Sequence, residues 1–271
     1  MRGLFTAGVT DVMMENGVSF DGIIGVSAGA AFGCNYKSNQ PGRAVRYNTA
    51  YSRDPRYCSV RSLLRTGDIY GADFCYHELP EKLDIFDTAA FVNSPIAFYV
   101  VCTDVNTGKP VYRQLEKADY DDLEWMRASA SMPLVSRIVE VGGRQMLDGG
   151  IADSIPLRYF QNIGYSRNVV VLTQPRGYTK SKNSLLPLMR IAYRKYPNLI
   201  DAIARRHEMY NETLEFLRLQ EKRGNTLILC PDEKLPIGRI EHDPEKLRAV
   251  YDIGRNYAEK HLAEIQNFVG K

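Results

Sequence analysis

Apolar positions along the chain follow two spacings in turn, and these spacings predict alternating helices and strands. Residues 4–16 place apolar side chains at helical spacing, whereas "FDGIIGVS" is a short apolar run that predicts a buried strand. Further predicted strands are "PIAFYVVCTD", "PVYRQL", "RIVEV", "RQML", "NVVVLTQ" and "TLILC". Further predicted helices are "AGAAFGCNY", "DDLEWMRASASM", "PLRYFQNIG" opened by Pro156, and long stretches in the last ninety residues. This alternation favours an α/β fold, a three-layer α/β/α arrangement with a mainly parallel central sheet.

The length and composition favour one domain. A chain of 271 residues with 44% hydrophobic residues can bury a single large core. We expect a core over residues 1–175 and a helical carboxy-terminal region over residues 176–271 that packs on the same domain. No internal repeat or low-complexity linker divides the two.

Charge and cysteine content exclude several classes of function. The 35 Lys and Arg residues nearly balance 32 Asp and Glu residues, so nothing in the overall charge points to a nucleic-acid partner. The five cysteines form no C-x-x-C pair, which argues against a zinc site and a disulfide framework; they are Cys34, Cys58, Cys75, Cys102 and Cys230. No apolar run is long enough to span a bilayer, and no signal region opens the chain. We therefore expect a cytoplasmic protein.

The stretch "GVSAGA" is the first candidate for chemistry. Ser27 stands between a predicted strand and a predicted helix, where the chain must turn sharply, and Gly25 and Gly29 remove side chains that would block such a turn. The turn would expose the serine hydroxyl at a helix N-terminus, where negative charge is favoured. Ser27 is therefore a candidate nucleophile; an ordinary tight turn is the alternative.

A serine nucleophile needs a base, and histidine is the usual one. His77, His207, His242 and His261 lie in polar, mostly helical surroundings without turn chemistry. Only 26 residues precede Ser27, too few for the strands that come before the nucleophile in α/β-hydrolases. A Ser-His-Asp esterase therefore remains the less favoured hypothesis.

The stretch "RQMLDGGIADSIP" offers a carboxylate instead. Asp148 ends a predicted strand, and Gly149 and Gly150 allow the chain to turn directly after it. Ligands collect at the carboxyl edge of open α/β sheets, and the strand before Ser27 would lead to the same edge. A Ser27–Asp148 dyad is one interpretation, and a simple loop turn at Asp148 is the other.

The pair "GVSAGA" and "DGG", about 120 residues apart, resembles the patatin-like phospholipases. "MRGLFTAGV", "TDVNTGKPV" and "ASASMP" add to the resemblance over residues 1–175, and "LPIGRIEHDPEKLRAVYDIG" is similar to a bacterial branch of the family. The resemblance implies that Ser27 attacks the carbonyl of a lipid or other acyl ester while Asp148 accepts its proton, through an acyl-enzyme and without metal or organic cofactor. It also leads us to expect that a partly desolvated site raises the pKa of Asp148.

The resemblance also assigns the oxyanion hole. Arg2 and Gly3 match the end of the family's glycine-rich block, and Ala28 supplies the N–H beside the nucleophile. The glycine triplet of that block and the strand before it would precede Met1. We therefore expect Met1 to be internal to a longer protein. A non-catalytic lipid-binding homologue is the alternative.

Two basic segments are candidates for contact with an anionic membrane surface. Residues 176–207 hold eight Lys or Arg residues against Asp201, interleaved with "LLPLM" and "IAY". Residues 37–65 hold seven against Asp54. Solvated faces of ordinary helices are the alternative explanation.

Overall fold

A computed structural model of the chain describes residues 1–238 and 240–270. It confirms the α/β class and the three-layer arrangement of helices about a central sheet. The α-helices are α1 (Gly3–Glu15), α2 (Ala28–Lys37), α3 (Arg43–Ala50), α4 (Val60–Thr66), α5 (Thr88–Asn93), α6 (Tyr120–Ser129), α7 (Leu157–Asn162), α8 (Leu186–Ala192), α9 (Pro197–Lys222) and α10 (Pro244–Val269). A π-helix covers Phe74–Leu83, and a short 3-10 turn covers Gly149–Ile151.

The strands form a larger and a smaller sheet. They are β1 (Gly22–Val26), β2 (Ala97–Asp104), β3 (Pro110–Leu115), β4 (Val139–Val141), β5 (Arg144–Asp148), β6 (Asn168–Val171) and β7 (Thr226–Leu229). In the larger sheet β2 pairs with β3 along one edge and with β1 and then β5 along the other, and β5 also pairs with β4; β6 pairs with β7 in the smaller sheet. Each strand predicted from the sequence is present within a few residues of its expected bounds.

Strand direction follows from the length of each connection. β1–β2 and β6–β7 are parallel pairs, and long helical segments join their strands. β3 is antiparallel to β2 because the "NTG" turn joins them directly, as predicted. β4 and β5 are antiparallel because Gly142 and Gly143 form a tight turn with φ of 58° and 69°. β5 in turn pairs antiparallel with β2.

Alternate residues of β2 face two different helical layers. Phe98, Val100 and Cys102 point into a core with α2 and α6, where Trp125 and Met126 are also buried. Tyr99 faces the other way and contacts the ring of Phe160 in α7 at 5.8 Å between centroids. Helices therefore cover both faces of the central strand β2. This packing fixes the position of its carboxyl end and of the residues that follow it.

The carboxy-terminal helix α10 packs on α1, the helix that precedes β1. Tyr251 of α10 donates a hydrogen bond from its hydroxyl to Asp11 Oδ2 at 2.7 Å, and the Gly42 N–H donates to the same oxygen at 2.8 Å. Burial raises the pKa of Asp11 to about 6, although both hydrogen bonds oppose the rise. This contact fixes one buried polar point between the two helices, because Asp11 is buried among core residues.

Candidate functional site

The turn at Ser27 has the strained geometry that the sequence predicts. Ser27 lies between β1 and α2 with φ 56° and ψ −121°, a region that non-glycine residues rarely adopt. A Cβ built on Gly25 would lie 2.4 Å from the Gly29 carbonyl oxygen, so only glycine fits at position 25. The Ser27 N–H donates to Ser129 Oγ at 3.0 Å, and that hydroxyl donates to the Val101 carbonyl at 2.6 Å. These bonds attach the turn to the neighbouring strand.

Backbone contacts on both sides hold Asp148 at the end of β5. Its N–H donates to the Ser131 carbonyl at 2.8 Å, and its own carbonyl accepts from Thr103 Oγ1 at 2.9 Å. The side chain is buried, and Oδ1 accepts from the Gly150 N–H at 2.8 Å. The carboxylate is therefore oriented by the turn that follows it.

Ser27 and Asp148 lie close together at one level of the larger sheet, along the same edge of β2. β1 pairs with Ala97–Val101 of β2 and β5 pairs with Cys102–Asp104, while β3 takes the opposite edge over Phe98–Thr103. Val26 and Asp148 pair with consecutive residues of β2, Val101 and Cys102, so the ends of β1 and β5 face each other. Burial, followed by the negative charge of Asp148, raises the pKa of the Cys102 thiol. Asp148 reaches this level from the opposite direction to Ser27, because β5 runs antiparallel to β1 and β2.

The glycines beside Ser27 and Asp148 differ in the atoms that a side chain at each position would meet. A Cβ on Gly149 would lie 2.1 Å from the Val101 carbonyl oxygen, so Gly149 lets the turn pass against β2. At Gly150 the nearest atoms would be Arg206 Nη2 and Asp148 Oδ1, both at 3.0 Å. The steric reason that the sequence suggested for Gly29 is wrong, because a Cβ there would meet no atom outside its own helical turn within 4 Å. Gly29 borders open cavity space.

Two helix N-termini meet beside Ser27. Gly3 is the first residue of α1 and Ala28 the first residue of α2. A Cβ on Gly3 would lie 2.7 Å from Ala28 Cβ, so the two first turns are in close contact. N–H groups of a first turn have no partner within their own helix. Arg2 lies directly before α1 and lines the same cavity as Ser27.

A cavity of about 1620 Å³ joins the residues described above. Both Ser27 and Asp148 line it, and so do strands β1 and β6, one from each sheet. Its wall also includes part of the basic segment 176–207, which the sequence marked only as a candidate for membrane contact. The volume is large enough for an extended acyl chain together with a polar group.

Of the four histidines, only His207 lines this cavity. Its Nδ1 lies 3.0 Å from the Ala204 carbonyl of the same helix. The other three have partners elsewhere: His77 contacts Glu124, His242 contacts the Ser52 carbonyl and His261 contacts Glu264. Within residues 1–238 and 240–270, no group of three His, Cys, Asp or Glu side chains is placed to hold a metal ion.

Comparison with known proteins identifies the fold family. A sequence model described as "Patatin-like phospholipase" matches residues 1–160, more than half of the chain. The chain belongs to the patatin-like phospholipase family. A second model, a domain of unknown function named DUF6363, matches residues 196–270. The family suggests a hydrolase that acts on lipids.

Several relatives of the chain are themselves uncharacterized. The chain is 26% identical over 269 residues to the uncharacterized protein YjjU of Escherichia coli, covering 97% of this chain and 75% of that protein. It is 29% identical over 174 residues to uncharacterized NTE family proteins of Mycobacterium bovis and Mycobacterium tuberculosis. That similarity covers 63% of this chain, which spans 45% of the length of the mycobacterial proteins.

The two basic segments differ in what their side chains contact. In residues 37–65, Arg43 and Arg46 both pair with Asp84, and Arg56 pairs with Asp54 and Glu78. Three of the seven cations in that segment therefore pair with carboxylates of the same fold. In residues 176–207, α8 instead exposes apolar side chains beside basic ones. Among the residues that the structure describes, no helix has the length and apolar content needed to traverse a bilayer.

Proposed function

We propose that the chain is a serine acyl hydrolase of lipid or other carboxylic esters, with Ser27 as nucleophile and Asp148 as general base. One observation carries this proposal: β1 and β5 end facing each other along the same edge of β2, so that the two residues lie close together and open into one cavity. Close placement allows the carboxylate to take the hydroxyl proton without histidine. The strained φ of Ser27 supports the same assignment, since such strain is common at nucleophile turns.

The reaction would proceed in two halves with Asp148 acting in both. Ser27 Oγ attacks the ester carbonyl carbon as its proton passes to Asp148, and the tetrahedral intermediate expels the alcohol, which takes that proton. Water then loses a proton to Asp148 and attacks the acyl-enzyme, releasing the acid and restoring the Ser27 hydroxyl. The N–H groups of Ala28 and Gly3 would stabilise the oxyanion in each half, since they belong to the two helix N-termini beside Ser27.

Covalent labelling tests this assignment. A fluorophosphonate should label the protein at Ser27 and stop ester hydrolysis, because it forms a stable phosphonyl ester with an activated serine. Ser27→Ala should abolish labelling. Ser166→Ala is the matched control, because Ser166 also lines the cavity and its loss should leave labelling intact. Labelling at a different residue would contradict the proposal, and an unlabelled, inactive protein that still binds lipid would favour the non-catalytic alternative.

We also propose that α8 contacts an anionic membrane surface. Leu185 caps the start of α8, and it recurs at spacings of three with Leu188 and Ile191 within the helix; the three are 48%, 52% and 73% exposed. Arg190, Arg194 and Lys195 are exposed beside them. Apolar side chains flanked by cations are typical of helices that lie in a membrane interface. Leu185 also lines the substrate cavity, so the membrane-facing side of α8 would open towards Ser27.

Vesicle sedimentation tests the role of α8. Replacing Leu188 and Ile191 together by Ser should lower the partition coefficient onto phosphatidylglycerol vesicles by about tenfold or more, since each exposed side chain would lose about 1 kcal/mol of burial. Leu219→Ser is the control, because Leu219 is exposed on α9 outside this face. Equal binding by all three proteins would show that α8 is only a solvated helix.

A further inference from the structure

The edge of β2 that faces Ser27 and Asp148 changes its partner strand between Val101 and Cys102. β1 pairs with this edge as far as Val101, and β5 pairs with it from Cys102 onwards. The regular ladder of hydrogen bonds is interrupted where one strand leaves and the other begins. Backbone groups buried at such a junction need partners from elsewhere, because an unpaired buried polar group costs free energy.

The hydroxyl of Ser129 fills this junction. Ser129 is the last residue of α6 and is fully buried. Its Oγ accepts from the Ser27 N–H at 3.0 Å and donates to the Val101 carbonyl at 2.6 Å. A single hydroxyl therefore links the turn at Ser27 to β2 at the point where β1 ends.

The end of α6 also contacts Asp148. The Ser131 carbonyl, two residues after Ser129, accepts from the Asp148 N–H at 2.8 Å. Gly149 packs against the Val101 carbonyl oxygen that accepts from Ser129, since a Cβ on Gly149 would lie 2.1 Å from that oxygen. The same short segment therefore holds both members of the proposed dyad.

Tight packing of α6 against β2 makes its end a fixed reference point. The Cys102 thiol donates to the Trp125 carbonyl at 3.6 Å, and Trp125, Met126 and Ala128 are all buried. Side chains in a closely packed interior have little freedom to move. The position of the Ser129 hydroxyl is therefore set by the core and not by solvent.

We propose that Ser129 is a positioning residue for the dyad: its hydroxyl holds the Ser27 turn in the place from which the Ser27 proton can pass to Asp148. The inference rests on the proposed function for its catalytic meaning, whereas the hydrogen-bond link itself can be measured without turnover. Ser27 has a strained φ of 56°, so the turn would relax if its N–H lost this acceptor. A displacement of about 1 Å at the reacting atoms can lower a rate about a hundredfold.

Steady-state hydrolysis of a short-chain ester by Ser129→Ala tests the proposal. We expect kcat to fall by about thirtyfold and KM to stay within about twofold, because the change misplaces the nucleophile without altering contacts to substrate. Ser129 does not line the cavity. Ser129→Cys should also lower kcat, since a thiol fills the space but is a weak donor and a weak acceptor. Wild-type kcat in Ser129→Cys would show that the residue only fills space and would overturn the proposal.

Ser52→Ala is the matched control. Ser52 is also buried, and its hydroxyl also donates to a backbone carbonyl, that of Thr49, at 3.1 Å. It does not line the cavity. Both alanine variants should lower the melting temperature by a few degrees, roughly the loss of one hydrogen bond. Only Ser129→Ala should lower kcat at a temperature where both proteins are folded, and equal kcat values in the two variants would overturn the positioning role.

Hydrogen exchange of the Ser27 amide, measured by NMR, gives a readout that does not need turnover. Loss of the acceptor in Ser129→Ala should speed exchange of this amide by about tenfold or more, while the amides within β2 keep their wild-type rates. An unchanged rate would overturn the link between Ser129 and Ser27. If the wild type hydrolysed no ester but the exchange still became faster in Ser129→Ala, the link would stand and the proposed function would be wrong.

Discussion

Asp148→Asn should lower kcat for ester hydrolysis by about a thousandfold, the size expected when a general base is removed. An amide of the same shape cannot accept the Ser27 proton. The contacts that position the residue would survive, since the amide oxygen can still accept from the Gly150 N–H and the backbone bonds to Ser131 and Thr103 do not involve the side chain. The measurement is steady-state hydrolysis of a short-chain ester, with thermal unfolding recorded in parallel.

Asp153→Asn is the control for this variant. Asp153 lies five residues further along the same segment, and its Oδ2 accepts from the Tyr112 hydroxyl at 2.8 Å. It does not line the cavity that Ser27 and Asp148 share, so its change to Asn should leave kcat within a few-fold. An Asp148→Asn protein that kept a tenth or more of the wild-type rate would rule out Asp148 as the base.

The same assay decides between the two hypotheses for the base. His207 is the histidine that lines the cavity, and its Nδ1 already lies against the Ala204 carbonyl. In a carboxylate-based site, His207→Ala should change kcat only slightly. Loss of activity in this variant, with Asp148→Asn still active, would restore the Ser-His-Asp hypothesis.

The local parts of the site could be predicted because each is encoded in a short stretch. Gly25 and Ser27 predict a strained turn from sterics alone, and the structure has it. Asp148 with Gly149 predicts a carboxylate at a strand end, and β5 ends there. The direction of β5 was harder to predict, since it depends on a tight turn at Gly142 and on pairing to β2, which is distant in sequence.

The rest of the cavity could not be predicted because it depends on long-range packing. Lys180 and Arg206 were visible only as members of a basic segment, and nothing near them in sequence indicates a contact with Tyr210 or with the Gly150 carbonyl. Gly29 shows that a motif can also predict too much. The motif suggested that a side chain at position 29 would clash, but a Cβ there meets no atom within 4 Å outside its own helical turn. The π-helix at Phe74–Leu83 also lacked a clear sequence signal, as Pro80 lies inside it.

The close packing of α1 on α10 leads to the second large effect. A Cβ on Gly254 would lie 2.1 Å from the Phe5 carbonyl oxygen, and one on Gly8 would lie 2.2 Å from the Tyr251 carbonyl oxygen. Gly254→Ala should therefore push the two helices apart. We expect a net loss of about 2 kcal/mol in the free energy of unfolding, because overpacking outweighs the roughly 1 kcal/mol that Ala gains in helix propensity. The melting temperature should fall by about 5 °C.

The same variant should also weaken catalysis, because α1 begins at Gly3 beside Ala28 and a shift of α1 moves that contact. Asn256→Ala is the matched control. Asn256 lies two residues away on the exposed side of α10. Ala at this position gains helix propensity and should raise the free energy of unfolding slightly. A Gly254→Ala protein as stable as that control would show that the helices can separate without cost. An unstable Gly254→Ala protein with an unchanged kcat below its melting temperature would instead show that α10 supports the fold without influencing the position of α1 at Ser27.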